Sequence, residues 1–409
     1  MAKNLIKQRA DEYITKIEGH GSLTVDWDSG KIKLNVLEGE RLFEGILVGK
    51  TPEEMHWITP RICGVCPVAH NLASLRALED ALGVEINQST EALRRLMQIG
   101  QNVQSHVLHA IFLALPDYIG LDKITELNEK DPEKFAIALD LKELGDEIAY
   151  VIAGRNVHPT TTTIGGFHKV PSIDGLKKLL EKIKENIPKA KLLAQFFTSL
   201  DYPKLEVDLE LIAQKSEEVL SNKKEGFKIK EYKKNIEEEV KNYSTAKFGS
   251  HKGSAYMVGA LARLYHKTFY NRNTDEFGLD FRNPFHNNLA QVVETLFELE
   301  DAVEIIKKLM KDGVDPVRGR ESSQRASTSN GIGAIEAPRG GLYNEVRLSE
   351  DGIIEYANII TPTVQNLTSM EGSAEALLKQ HRDKSRQELE RLLDMLIRAY
   401  DPCITCSVH

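Results

Sequence analysis

Apolar and polar positions alternate through residues 23–28 and 31–36 around Asp28-Ser29-Gly30, which predicts a hairpin with one buried face. Helical spacing takes over at Val68, where Val68, Leu72, Leu75, Leu78 and Leu82 share a face until Gly83 offers a stop. Further helices are expected over 91–115, largely buried and ended by Pro116, and over 132–154, 174–200, 288–310 and 375–399. Residues 318–333 read as a polar loop, strands flank 349–352, and Pro362 keeps 359–364 extended. Residues 201–250 are the most polar part, with Lys223-Lys224-Glu225, Lys233-Lys234 and Glu237-Glu238-Glu239. They are expected to form a peripheral insertion with solvated faces and no chemistry. The sum is a predominantly helical α+β chain.

Composition narrows the class. With 409 residues, 41% hydrophobic and 28% charged, the chain is an ordinary globular protein able to bury a core. A net charge of −8 opposes nucleic-acid or anionic-membrane binding. No stretch approaches the roughly 18 apolar residues of a membrane span; the nearest, 107–121, is interrupted by His109 and Pro116-Asp117. The first ten residues lack the apolar core of a secretory signal, so a cytoplasmic location is expected, where thiols stay reduced and favour metals over disulfides.

The chain's four cysteines fall into two pairs at opposite ends, Cys63 with Cys66 and Cys403 with Cys406, and His70 and His409 follow them. Convergence on one soft-metal site requires residue 63 beside residue 406, and hence a single interlaced domain over 1–409 rather than the two or three that length alone suggests. A structural zinc site is the commonest use of this pattern, although zinc ribbons keep their pairs roughly 15–20 residues apart. A four-cysteine iron–sulfur cluster is the next possibility. Spacing leaves the metal open. Cys66 stands at a helix N-terminus, which favours thiolate. Glu18 lies among glycines, either an exposed strand entry or a group close to a cofactor, and Glu44 sits in an apolar run that demands a cationic partner. His106 and His109 share a helix face, as a metal pair or, more plainly, as hydrogen-bonded core residues. Arg339, between Pro338 and Gly340-Gly341, is fixed in place.

Arg61-Ile62-Cys63-Gly64-Val65-Cys66-Pro67-Val68-Ala69-His70 and Asp401-Pro402-Cys403-Ile404-Thr405-Cys406-Ser407-Val408-His409 resemble the signatures of the large, catalytic subunit of [NiFe]-hydrogenases. The likeness runs through Ile17-Glu18-Gly19-His20, Phe43-Glu44-Gly45, Glu336-Ala337-Pro338-Arg339-Gly340 and Ile360-Thr361-Pro362-Thr363. Ser105-His106, Leu115-Pro116-Asp117-Tyr118 and Arg398-Ala399-Tyr400-Asp401 are most similar to the soluble, NAD(P)-linked, sulfhydrogenase-like and bifurcating group.

The resemblance implies a long central helix bundle with small peripheral antiparallel sheets, and reversible heterolytic cleavage of H2. Cys63, Cys66, Cys403 and Cys406 would bind nickel, with Cys66 and Cys406 bridging to an iron that carries CO and CN ligands. Pro338, Leu342, Pro362 and Thr363 would line the space around those ligands, and His70 would hydrogen-bond a bridging sulfur. A Cys403 thiolate would pass the proton to Glu18, with Arg339 acting chiefly through its charge. Glu44, the Ile359 carbonyl and His409 would hold Mg2+. Ser105 stands where many relatives carry an acid. With all four thiols committed, electrons must leave through an iron–sulfur small subunit, and flavin- and NAD(P)-binding diaphorase subunits are implied. Family precursors lose a short tail to a maturation endopeptidase, and the end at His409 suggests the processed form. The alternative is a non-catalytic structural or electron-relay subunit like the quinone-site subunit of complex I, which lacks the thiols.

Overall fold

A computed structural model describes residues 14–315 and 329–409. The N-terminal hairpin forms as patterned: β1 (Gly21–Asp26) pairs antiparallel with β2 (Lys31–Val36), and Leu23, Val25, Ile32 and Leu34 turn inward.

Among the described residues seven long helices follow: α1 (Pro67–Leu82), α2 (Gln88–Val107), α3 (Pro132–Ala153), α4 (Ile173–Thr198), α5 (Asn287–Asp312), α6 (Pro362–Gln380) and α7 (Arg386–Ala399). Their starts are chemically marked. Asn87, Asp131 and Ser172 accept hydrogen bonds from the free backbone N–H groups of α2, α3 and α4, and Ser385 with Glu388 caps α7 reciprocally. Pro67, Pro132 and Pro362 occupy first turns, where no N–H is needed.

Three expectations are corrected here. Pro116 does not end the helix over 91–115: α2 gives way at Leu108–Ala114 to a wider π turn, and Pro116 lies in the first turn of the short helix Leu115–Ile119 that follows. Residues 375–399 are not one helix, because the chain breaks after Gln380 and restarts under the Ser385 cap. Pro362 opens α6 instead of prolonging a strand, since its fixed φ suits a helix start. Of the loop expected over 318–333, residues 318–328 lie outside the described residues, and 329–333 belong to a strand.

Helices α2 and α3 pack at their glycines. A Cβ on Gly100 would lie 2.7 Å from the Ala149 nitrogen and 2.8 Å from the Gly145 carbonyl, so only glycine allows this approach. Strands β3 (Ser329–Ala337), β4 (Gly340–Leu348) and β5 (Ile354–Ile360) form an antiparallel sheet in that order. Its first strand lies directly on α1, with Gly331 and Gly333 against the Ala73, Ala77 and Ala81 turns. The β3–β4 turn thereby brings Ala337, Pro338 and Arg339 up to the N-terminus of α1, where Cys66 stands.

Residues 201–250 carry a three-stranded sheet (Ile212–Lys215, Glu218–Ser221, Phe227–Lys228) and the hairpin Ile236–Val240 with Lys247–His251. Their inner faces are apolar: Ile212, Val219, Phe227, Ile229, Tyr232 and Ile236 pack with Ala334, Tyr343 and Ile360 of the β3–β5 sheet.

Candidate metal centre

The two ends of the chain meet in the interior. Cys63 follows a short 3-10 turn (Thr59–Ile62), Cys66 precedes Pro67 of α1, and Cys403 caps the single turn Ile404–Ser407 that contains Cys406. A parallel bridge between Glu18 and Cys403, with Ile404 N–H donating to the Glu18 carbonyl at 3.0 Å, ties the first segment to the last.

All four sulfur atoms lie within 4.8 Å of one another, and all four residues are buried. Cys63 and Cys403 are 3.4 Å apart, Cys66 and Cys406 3.3 Å, and Cys403 and Cys406 2.9 Å. Burial pushes the Cys403 and Cys406 thiols well above the usual thiol range, whereas hydrogen bonds from the neighbouring thiols hold Cys63 well below it. Unaided, the cluster cannot carry four negative charges in so small a dry volume. A soft cation removes that conflict, and a four-sulfur donor set suits one.

A buried recess opens beside the cysteines, lined by Cys66, His70, Pro338, Arg339, Leu342 and Thr363, with Ala337, Pro362, Cys403 and Cys406 completing it. His70 Nε2 lies 3.6 Å from Cys406 Sγ; burial pulls the imidazole down to about 4, so it is neutral, and the tautomer with its proton on Nε2 donates to the sulfur. Thr363 Oγ1 accepts the Cys403 N–H at 2.9 Å. Arg339 donates from Nε to the Asp401 carbonyl at 2.7 Å and from Nη2 to the Asp401 carboxylate at 2.8 Å. Burial alone would favour its discharge, but Asp401 and the facing thiolates hold its pKa well above the ordinary arginine value, so it remains a cation. Its Nη1 is buried without a protein partner.

Glu18 stands on the far side of Cys403. Its carboxylate accepts the Thr405 N–H at 3.1 Å and the Thr405 hydroxyl, and that hydroxyl is 3.9 Å from Cys403 Sγ. Arg41 donates to the carbonyls of Ile62 and Thr405, joining the two cysteine segments.

Glu44, Ile359 and His409 also converge. The Ile359 N–H donates to Glu44 at 2.7 Å, and His409 Nε2 lies 2.7 Å from the Ile359 carbonyl and 3.9 Å from the Glu44 carboxylate. His409 Nδ1 is 2.7 Å from the Cys406 carbonyl. His409 Nε2, the Ile359 carbonyl and the Glu44 carboxylate thus bring one nitrogen and two oxygens together, donor types that a hard cation accepts.

Several contributors were not visible in the sequence. Glu238 and Lys247, from the segment expected to carry no chemistry, pair at 3.3 Å next to Glu44 and His409, where burial raises the Glu238 carboxyl. Asp401, Thr405 and Arg41 were present in or near the motifs without an assigned partner. His106 and His109 do not converge on a metal: His106 pairs with Glu294 at 2.7 Å and His109 with Gln291 at 2.6 Å. Ser105 is buried, and its hydroxyl meets no protein partner.

Comparison with known proteins matches this geometry to a family. The model of the family described as nickel-dependent hydrogenase matches residues 41–141 and 212–409. The alpha subunit of sulfhydrogenase 1 from Pyrococcus furiosus is 34% identical over 100% of this chain and 99% of its own, and that of sulfhydrogenase 2 from the same organism is 32% identical over 98% of each. The crystal structure of an NAD+-reducing [NiFe]-hydrogenase in the H2-reduced state superposes with a TM-score of 0.83 at 24% identity, covering 97% of this chain and 98% of that one, which shows a shared fold. With its cysteine pairs inside the matched segments and its relatives aligned end to end, the chain belongs to the nickel-dependent hydrogenase family, as a large, catalytic subunit.

Proposed function

We propose that this subunit carries out reversible heterolytic cleavage of H2 at a nickel–iron pair with CO and CN on the iron, bound by Cys63, Cys66, Cys403 and Cys406. The observation that carries the reading is the meeting of four buried sulfurs from both chain ends. When bound, the metal pair supplies a soft, redox-active centre that polarises H2 and takes up its electrons.

The protein's own part is placement and proton handling. Pro338, Leu342, Pro362 and Thr363 wall the recess that would house the small iron ligands, and His70 donates to the Cys406 sulfur. The Cys403 sulfur receives the proton. The Thr405 hydroxyl, between Cys403 and the Glu18 carboxylate, supports transfer from one to the other. Arg339, held as a cation, is a poor base and a strong electrostatic clamp. Glu44, the Ile359 carbonyl and His409 would hold Mg2+, pinning the last turn and with it Cys403 and Cys406.

No thiol of the chain is left for an iron–sulfur cluster, so electrons pass to an iron–sulfur small subunit and on to a flavin- and NAD(P)-handling partner; the similarly folded hydrogenase is named as NAD+-reducing. A maturation endopeptidase acts earlier in assembly. We read 1–409 as one interlaced catalytic domain with 201–250 as an insertion, and the complex as cytoplasmic; no helix among the described residues is long and apolar enough to cross a membrane. The test is infrared spectroscopy with metal analysis of the purified complex. Iron-bound CO and CN bands with equal nickel and iron are expected, and zinc without such bands overturns the reading.

A further inference from the structure

Arg339 reaches the recess through one carboxylate, and the grip on that carboxylate comes from α5 and from the π turn after α2. Asp401 adopts φ of 54° in the left-handed region, which a short polar side chain tolerates better than most. This bend offers Arg339 both the Asp401 carbonyl and Oδ1. The other carboxylate oxygen, Oδ2, accepts from the Gln291 amide at 2.9 Å. Gln291 Oε1 lies 2.6 Å from His109 Nδ1, and His109 Nε2 donates to the Arg398 carbonyl at 2.7 Å. Gln291 and His109 are each only 1% exposed. Arg398 lies three residues before Asp401, so the chain of contacts closes on the segment it braces.

The two outer links have one chemically sensible polarity each. A carbonyl only accepts, so His109 carries a proton on Nε2; a carboxylate only accepts, so Gln291 directs its NH2 at Asp401. The remaining contact sets Gln291 Oε1 2.6 Å from His109 Nδ1, with Asp401 Oδ2 3.9 Å from the same nitrogen. Burial lowers His109 below the ordinary imidazole value, with Asp401 only partly opposing that pull, so the brace rests on the geometry of the contacts and not on a charge at His109. Ser105, the nearby hydroxyl without a protein partner, takes no part in this chain.

We infer that Gln291 and His109 are positioning residues for H2 activation: they fix the Asp401 carboxylate, and through it they hold Arg339, with its bare Nη1, at the wall of the recess. This rests on the function proposed above. Without the Gln291 amide, Oδ2 is a buried acceptor with no donor, and the carboxylate is free to turn away from the guanidinium.

The test is a double-mutant cycle in the intact complex: Gln291→Met, Arg339→Lys and both together, with H2 uptake, nickel content and a crystal structure for each, and His109→Gln run in parallel from the other end of the chain. Gln291→Met is expected to lose at least about tenfold in uptake with nickel retained. Its structure should show the Asp401 and Arg339 side chains displaced, and the double variant should stay within about twofold of Arg339→Lys alone. The inference falls if the two losses multiply, if uptake declines only in step with nickel, or if Arg339 keeps its place. Should Gln291→Met yield no folded complex, His109→Gln decides by the same criteria. Wild-type uptake with nickel bound leaves the proposed function standing whichever way the variants fall.

Discussion

Two buried arginines meet at the Ala337–Arg339 turn and do opposite things with their hydrogens. Arg263 uses all five N–H groups: Nε and Nη2 donate to Glu294 at 2.6 and 2.5 Å, Nη1 to Glu336 at 2.6 Å, and the remaining two to the carbonyls of Ala337 and Pro338. Arg339, next in the chain after those carbonyls, spends its donors on Asp401 and leaves Nη1 bare. The first pattern is that of a support, since a buried charge is tolerated when every donor is matched. The second is that of a working group, since a buried guanidinium nitrogen without a protein partner beside a metal-binding recess is free to meet something else. The pair is also connected, because the saturated arginine holds the turn on which the unsaturated one is mounted.

The contrast predicts different failures. Arg263→Met should leave Glu294 and Glu336 buried without their counter-charge and cost about 3–5 kcal/mol, read as a large drop in thermal stability; an unchanged melting temperature would erase the distinction. Arg339→Lys keeps one charge but loses the fork, so uptake should fall about 10²–10³-fold while the fold and nickel content survive. Loss of stability instead would place Arg339 with Arg263. Glu18→Gln extends the comparison to the proton side: metals should remain bound while H/D exchange slows about a hundredfold, and unaltered exchange would remove Glu18 from the route.

The smallest effect concerns a buried base with no strong counter-charge. Burial pulls His56 down to about 4, below its ordinary 6.5, so it is neutral when folded and readily protonated when unfolded. Its contribution is therefore present above about pH 6.5 and lost as pH falls toward 4, at up to about 1.4 kcal/mol per pH unit. A His56→Gln variant should show an acid limb shallower by about one proton. An identical limb would mean that His56 finds a counter-charge after all.

What the sequence made legible follows from locality. Cys66-Pro67 before a helical repeat, the β1–β2 alternation and the Pro-Arg-Gly-Gly turn are patterns within a few residues, and the structure places them as read. The breaks were harder. Pro116 ends nothing because it falls in the first turn of the helix that follows the π turn, and 375–399 divides at a Ser385 cap that apolar periodicity passes over. Partnership was hardest of all. Gln291 and His109 stand 182 residues apart, and His106 and Glu294 188 apart; helical spacing says which face each occupies but not what lies opposite. The polar count of 201–250 likewise hid an inner apolar face and the Glu238–Lys247 pair.

The meeting of Cys63 with Cys403, and of Cys66 with Cys406, spans 340 residues in each case. In chain statistics, an ion held by all four sulfurs is a cross-link that closes most of the polymer into one loop. On the entropy of loop closure, this removes about 5–6 kcal/mol of freedom from the unfolded ensemble. The loaded chain is thus expected to unfold later, and more cooperatively, than the same chain before loading. Catalytic readiness and mechanical closure become a single event.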